Sequence, residues 1–155
     1  MGSAQAIKTC LAKSFQFSGP ASRSEFWWFL LFTFAVYAIL FFAVDLRLLQ
    51  MDIDGDFAFL PFADTFLLLT LPASAAVTAR RLQDRNIPGT AGATLVIAVV
   101  ILGFAPLLTD VDRFHWFYSF ETALIIVNLG VLILCALPST PGFNRYGPNP
   151  NEVPQ

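Results

Sequence analysis

The residues best suited to chemistry in this chain are a few ionisable side chains next to long apolar runs. Asp64 lies inside such a run, where an ionisable group is costly and usually marks a functional site. Glu25 and the segment Arg80-Arg81-Leu82-Gln83-Asp84 stand instead at the ends of apolar runs. Carboxylates and guanidinium groups in these positions can form ion pairs between helices, bind phosphate headgroups or take part in transport.

The sequence patterns of common enzyme classes are absent. The single histidine, His115, has no cysteine or second histidine near it, so metal-ligand spacing is missing. There is no phosphate-binding glycine loop, no G-x-S-x-G nucleophile motif and no pair of carboxylates within one predicted pocket. Cys10 and Cys135 are the only cysteines, and we expect both to stay reduced. We therefore predict no enzyme activity, catalytic residue, metal or cofactor.

The composition is that of an integral membrane protein. Hydrophobic residues make up 56% of the 155 residues and charged residues only 13%, more apolar surface than a soluble core can bury. A formal net charge of −2 is too balanced to suggest a nucleic-acid partner. The sequence therefore predicts a single all-α membrane domain over residues 1–155.

Four apolar segments approach the length of about 20 residues that crosses a bilayer as a helix. Ahead of them, apolar residues at helical spacing predict a short amphipathic helix over residues 4–15 that lies at the membrane interface. Beyond them, the run from Pro138 to Pro154 contains five prolines, so we predict an irregular tail over 139–155. The four predicted spans are 26–44, 57–79, 90–109 and 118–138.

The basic residues predict the orientation, because those in short connections are retained in the cytoplasm. Seven of them fall on the side of both termini and the 80–89 loop, against two on the other side. We therefore predict that both termini are cytoplasmic and that the loops at 45–56 and 110–117 face outward.

The residues at the inner ends of the first two predicted spans have several interpretations. Arg80 and Arg81 can act as an orientation signal paired locally with Asp84, bind anionic headgroups or a partner, or serve catalysis or transport. Glu25 matches a capping box with Ser22. Glu25 can in addition pair with Arg80 or Arg81 and so join the first span to the second.

Asp64 has two interpretations, and the second span depends on them. It can cap a shorter helix that begins there, or it can lie buried against a partner such as Asn128, Arg47 or Arg113. In the second case Asp64 and Asn128 form an intramembrane polar site. The prolines within the predicted spans fit either structural kinks or the broken helices of transporters.

Three polar segments stand at the inner boundary: Gly19 to Trp28 (GPASRSEFWW), Arg80 to Asp84 (RRLQD) and Pro141 to Pro150 (PGFNRYGPNP). In order and spacing they resemble a bacterial inner-membrane family known as domain of unknown function 805, the YhaH-like proteins. The resemblance covers roughly residues 12–150 and implies a four-helix inner-membrane protein without implying an activity. The chain departs from the family pattern at Pro20, where a basic residue is usual, and at Gln83, where histidine is usual.

Two functions fit these observations. The favoured one is a membrane interaction or scaffold protein whose cytoplasmic motifs contact anionic lipid or a protein partner, including a second copy of the chain. The alternative is a small oligomeric transporter or channel subunit that uses Asp64, Asn128 and the proline-broken helices. The candidate residues for lipid or partner binding, or for pairing between helices, are Arg23, Glu25, Arg80, Arg81, Asp84, Asn144 and Arg145.

Overall fold

The computed structural model describes residues 2–45, 62–103 and 126–148. The described residues form five helices and one pair of very short strands. The helices are α1 (Ser3–Ala12), α2 (Arg23–Leu40), α3 (Phe62–Gln83), α4 (Gly89–Gly103) and α5 (Ile126–Ala136), with a π-helical turn, Phe41–Asp45, that extends α2. The strands β1 (Phe143–Asn144) and β2 (Gly147–Pro148) pair antiparallel.

Two of the helices are long and apolar enough to cross a membrane, by length and composition. The α2 helix with its π-helical extension has 23 residues and a mean hydropathy of 2.2, and α3 has 22 residues and a mean hydropathy of 1.4. The α4 and α5 helices are apolar but shorter within the described residues. The all-helical prediction is confirmed. The remainder of the third and fourth predicted spans, and both outer loops beyond Asp45, lie outside the described residues.

Large apolar side chains are exposed along the outer faces of these helices. Leu31, Phe34 and Ile39 of α2 are 55%, 68% and 64% exposed, and Ile133 of α5 is 62% exposed. Soluble proteins seldom expose apolar side chains in such continuous patches, whereas hydrocarbon solvates them. The exposed faces therefore agree with the two helices of membrane-crossing length in favouring a membrane protein.

The α3 helix is the central element and contacts α1, α2 and α4. Its close neighbour α4 carries glycines where side chains would not fit. A Cβ atom on Gly92 would lie 2.6 Å from Leu82 Cδ1, and one on Gly89 would lie 2.8 Å from the Ala79 carbonyl oxygen. Small residues at these two positions let the backbones of α3 and α4 approach closely.

The described part of α3 extends further along the chain than the predicted second span, 57–79, of which residues 57–61 lie outside the described residues. In its first described turn, the Asp45 carboxylate accepts hydrogen bonds from the N–H groups of Phe62 and Ala63, both at 3.0 Å. The helix continues to Gln83, through residues that the sequence assigned to the 80–89 loop. Charged side chains near this end are buried and paired within the bundle, so the helix does not have to end where they begin.

The N-terminal helix differs from its prediction in its end and in its buried face. The predicted interval was 4–15, whereas α1 ends at Ala12. Ala6 and Cys10 are completely buried, and α1 packs on α2 and α3. Phe15, the last residue of the predicted interval, follows the helix and is 82% exposed.

The predicted irregular tail, 139–155, contains one short regular element in the part that the structure describes, 139–148. Residues 143–148 form the β1–β2 hairpin, whose turn is stabilised by a 2.8 Å hydrogen bond from the Tyr146 N–H to Asn144 Oδ1. Gly147 has a φ of 135°, which few residues other than glycine adopt. The prolines of this segment exclude a helix, but they are compatible with a pair of two-residue strands.

Candidate functional site

The three polar segments meet at one end of the bundle, which we call the motif end. It contains the start of α2, the end of α3, the end of α5 and the β1–β2 hairpin. Glu25, Arg80, Arg81 and Asp84 form a buried ion cluster at its centre, and each of these four side chains is 6% exposed or less. Segments far apart in sequence therefore build one site.

The start of α2 positions Glu25. Ser22 is the N-cap, and its Oγ accepts a 3.2 Å hydrogen bond from the Glu25 N–H. The half of the predicted capping box that Ser22 supplies is therefore confirmed, whereas the Glu25 carboxylate binds Arg80 and Cys10. Glu25 lies in the first turn, where a carboxylate also interacts favourably with the helix dipole.

The Glu25 carboxylate joins α2 to α3. Arg80 Nη1 donates to Glu25 Oε1 at 2.7 Å, so the predicted pairing is confirmed with Arg80 as the partner. The Nε and Nη2 atoms of Arg80 have no hydrogen-bond partner among the described residues, although Arg80 is only 1% exposed. The buried charge of Arg80 is therefore compensated by the carboxylate of Glu25. Removing one member of such a pair costs more than the pair itself contributes, because the other charge stays buried.

Arg81 joins α3 to α5. Its Nε donates to the Cys135 carbonyl at 2.9 Å, and its Nη2 donates to the Leu137 carbonyl. The last carbonyl groups of a helix lack partners within the helix, so Arg81 acts as a C-terminal cap for α5. Its Nη1 pairs with Asp84 and lies 3.4 Å from the Ala21 carbonyl oxygen, just before α2.

The hairpin caps the end of α3 in a similar way. Asn144 Nδ2 donates to the carbonyls of Gln83 and Asp84 at 3.1 and 3.3 Å. Thr140 donates to the Asp84 carbonyl through both its N–H and its hydroxyl, at 3.2 and 2.9 Å. Gln83 donates from Nε2 to the Phe17 carbonyl at 2.8 Å. Backbone carbonyls left over at the helix end are thus satisfied by side chains from other segments.

Burial contradicts the interpretation that Arg80 and Arg81 reach phosphate headgroups. The two residues are 1% and 0% exposed, and both use their guanidinium groups inside the bundle. Arg23 and Arg145 are exposed at the same end. The Arg145 guanidinium carbon lies 4.7 Å from the centre of the Tyr146 ring, a cation–π contact.

Cys10 of α1 completes the motif end. Its Sγ lies 3.6 Å from Glu25 Oε1, as the donor to the same oxygen that Arg80 binds. Burial raises the pKa of the Cys10 thiol to about 12, and the negative charge of Glu25 contributes to the rise. The thiol is therefore protonated and poorly nucleophilic at neutral pH. Within the described residues, no group of three or more His, Cys, Asp or Glu side chains is placed to hold a metal ion.

Asp64 lies at the opposite end of α3, in its first turn, and is half-buried. It does not cap the helix, because Asp45 takes the N–H groups of Phe62 and Ala63. The hypothesis that Asp64 caps this helix is therefore wrong, because the carboxylate that binds these N–H groups belongs to Asp45. Asp45 was missed because it follows the first span and precedes α3 by 17 residues, so no local capping pattern marks it. The proposed partners Arg47 and Arg113 lie outside the described residues.

A cavity of about 270 Å³ lies in the middle of the bundle, between the motif end and the first turns of α3. Helices α2, α3, α4 and α5 all line it, and most of its lining is apolar. Asn128 is among its lining residues but Asp64 is not, so the predicted intramembrane pair does not share this cavity. Its other polar side chains are Thr33, Ser74 and Thr78.

The fold and the site define an all-helical protein with helices of membrane-crossing length, whose polar motifs form one buried ion cluster. Residues 14–148 match the model of a family described as "protein of unknown function (DUF805)". The chain belongs to this family, as its three polar segments indicated. No curated protein and no solved structure matches the chain.

Proposed function

We propose that this chain is a multi-pass protein of the bacterial inner membrane, with four spans and both termini in the cytoplasm. It serves there as an interaction or scaffold protein and not as an enzyme. The exposed apolar faces of α2 and α5 support the membrane placement. The excess of basic residues at the motif end supports a cytoplasmic position for that end.

One observation carries the scaffold role: the polar motif residues are used to join helices to one another. Arg80 and Arg81 are buried in contacts with Glu25 and with the end of α5, so they build a fixed platform. Exposed cations surround this platform, and they are free to contact anionic headgroups. They are Lys8, Arg23 and Arg145.

The α1 region adds an apolar contact with the same leaflet. Leu11 and Phe17 are exposed at 47% and 39%, and Phe15 more strongly, beside Lys8 and Lys13. Exposed apolar and basic side chains in one short region are typical of segments that lie in the membrane interface. Trp27 and Trp28 on α2 are exposed at the same end, where tryptophan is frequent at the headgroup level.

The test is the lipid that accompanies the purified protein in nanodiscs of mixed phosphatidylethanolamine and phosphatidylglycerol. We expect the wild type to enrich phosphatidylglycerol, and the triple variant Lys8→Gln, Arg23→Gln, Arg145→Gln to lose most of that enrichment. Gln5→Ala, an exposed uncharged change on α1, is the control and should retain it. Equal phosphatidylglycerol content in the wild type and the triple variant would overturn the headgroup contact.

The orientation has its own test. Reporter fusions to an enzyme active only outside the cytoplasm should be inactive at Gln155 and active in the 45–56 loop. Activity at Gln155 would contradict the proposed topology.

The second candidate function is a small oligomeric transporter or channel subunit, and the central cavity with Asn128 favours it. The weakness of this candidate is that Asp64 lies outside the cavity lining. Solute or ion flux in proteoliposomes that Asn128→Leu abolishes would support transport. Wild-type proteoliposomes no more permeable than empty liposomes would favour the scaffold role.

A further inference from the structure

We propose that the central cavity holds a hydrocarbon chain, supplied by a membrane phospholipid or by a free fatty acid. The proposal rests on the membrane placement proposed above and assigns a ligand class to the interior of the bundle. The supporting observations are the size of the cavity, the chemistry of its lining and its position below the buried ion cluster.

The size of the cavity fits an apolar ligand. An apolar cavity of about 150 Å³ in a protein interior stays dry and binds benzene or xenon. The cavity here is larger, about 270 Å³, side chains of four helices line it, and it is partly open at the surface of the bundle. Empty space of this size would deprive the lining side chains of dispersion contacts on one side. A hydrocarbon chain restores those contacts.

The chemistry of the lining leaves little for a polar solute to bind. Thr33 Oγ1 donates to the Leu30 carbonyl at 2.9 Å, and Thr78 Oγ1 donates to the Ser74 carbonyl at 2.8 Å. These two hydroxyl hydrogens are therefore used within their own helices. The rest of the lining is dominated by side chains such as Phe29, Leu71 and Val99.

The residues around the cavity indicate where a hydrocarbon chain can enter it. Phe26 and Val77 line the cavity directly beside Glu25 and one helical turn before Arg80. The buried ion cluster therefore closes the cavity at the motif end. The lining residues Leu67, Leu71 and Val96 are half-buried, so the wall of the cavity is not sealed between the helices. A hydrocarbon chain therefore enters most directly from the surrounding bilayer.

The test uses a photoreactive fatty acid with a diazirine in the middle of its chain, added to the full-length protein in nanodiscs. A second arm uses a phosphatidylglycerol that carries the same diazirine chain. Crosslinked residues are mapped by mass spectrometry. We expect crosslinks to cavity residues of α3 and α4, and the arm that gives the stronger labelling identifies the source of the chain.

Matched variants on α4 separate the cavity from the outer surface. Val99→Phe places a ring in the cavity, whereas Ile101→Phe makes a similar change at a position 58% exposed. We expect Val99→Phe to lower cavity labelling at least tenfold and Ile101→Phe to leave it unchanged. Ser74→Leu fills the same cavity from α3 and is used if Val99→Phe does not fold.

Labelling confined to outward residues in the wild type, or cavity labelling that survives both filling variants, would overturn the proposal. Extraction of the membranes with alkaline carbonate distinguishes this failure from failure of the proposed function. A protein released by carbonate would contradict the membrane placement itself. If the protein stays in the membrane but its cavity residues are not labelled, the proposal of a bound hydrocarbon chain fails and the membrane placement stands.

Discussion

The motif end and the middle of the bundle are held together by different interactions. At the motif end, buried charges and side-chain caps join the ends of the helices, as Arg80 does with Glu25 and Arg81 with the end of α5. In the middle, apolar side chains surround a cavity, and the hydroxyls of Thr33 and Thr78 bond within their own helices.

The difference indicates which substitutions each region tolerates. An apolar side chain makes many contacts, and replacement by another apolar side chain of similar volume keeps most of them. A buried charge with one partner is not interchangeable, because its loss leaves an uncompensated charge in a low dielectric. The motif end should therefore be sensitive to conservative substitutions that the lipid-facing middle accepts.

The largest effect is expected from Glu25→Ala. It leaves Arg80 buried without its carboxylate, and breaking one side of a buried ion pair costs about 3–5 kcal/mol. The free energy of unfolding, measured by SDS titration in mixed micelles, should fall by that amount. Arg23→Ala, an exposed change two residues earlier, should alter it by less than about 0.5 kcal/mol. Equal effects of the two variants would contradict the claim that the buried pairing with Arg80 makes Glu25 more important than an exposed neighbour.

Arg81→Lys should have the next largest effect. A single ammonium group cannot reproduce the planar guanidinium contacts with Cys135, Leu137 and Asp84, so we expect a loss of about 2–3 kcal/mol. Arg85→Lys is the matched control, since Arg85 is half-buried and donates one bond, to the Pro138 carbonyl at 2.6 Å. If the two lysine variants are equally stable in the same titration, Arg81 is not the cap of α5.

Asp45→Ala should have a smaller effect at the far end of α3. It removes the acceptors for the Phe62 and Ala63 N–H groups, and loss of an N-cap costs about 1 kcal/mol. Asp45→Asn retains one side-chain oxygen as an acceptor and should lose less. SDS titration of both variants measures which of them loses more free energy of unfolding. Equal losses in the two variants would mean that Asp45 acts through its charge and not through the hydrogen bonds to Phe62 and Ala63.

At neutral pH the smallest effect on stability is expected from the ionisation of Cys10, which changes the free energy of unfolding only above about pH 9. Because the folded pKa of this thiol is about 12, above its unfolded value of 9.0, the protonated thiol favours the folded state. Its contribution is fully present below pH 9 and is lost as the pH rises from about 9 to 12.

The measurable consequence for Cys10 is slow alkylation. At pH 7.5, iodoacetamide should label Cys10 at least tenfold more slowly than a cysteine introduced by Ser3→Cys, an exposed position on the same helix. Comparable rates would show that Cys10 is not buried by the packing of α1 on α2 and α3.

The motif end could be predicted from the sequence in part. Charged residues at the ends of apolar runs indicated that Glu25 pairs with Arg80 or Arg81, and the Ser22 spacing indicated a cap. The choice of Arg80, and the contacts of Arg81 and Asn144 with backbone carbonyls, were not predictable because those carbonyls belong to segments far away in sequence. Of the interpretations of Arg80 and Arg81, the local pairing with Asp84 is observed for Arg81, and the burial of both side chains had no signal in the sequence.

The middle of the bundle could be predicted only as a set of apolar helices. Composition and length indicate that α2 and α3 can cross a membrane, but apolar periodicity carries no signal for a cavity. The contact of Asp45 with the first described turn of α3 could not be predicted, because Asp45 lies 17 residues before Phe62 in the sequence.

The central claim is that Glu25 and Arg80 form one energetic unit that joins α2 to α3. A double-mutant cycle with Glu25→Leu and Arg80→Met, measured by SDS titration in mixed micelles, tests it most directly. We predict that each single variant is destabilised by about 3 kcal/mol or more and that the double variant recovers most of this loss, since no charge remains buried. Additive losses, with a coupling energy below about 0.5 kcal/mol, would contradict the account.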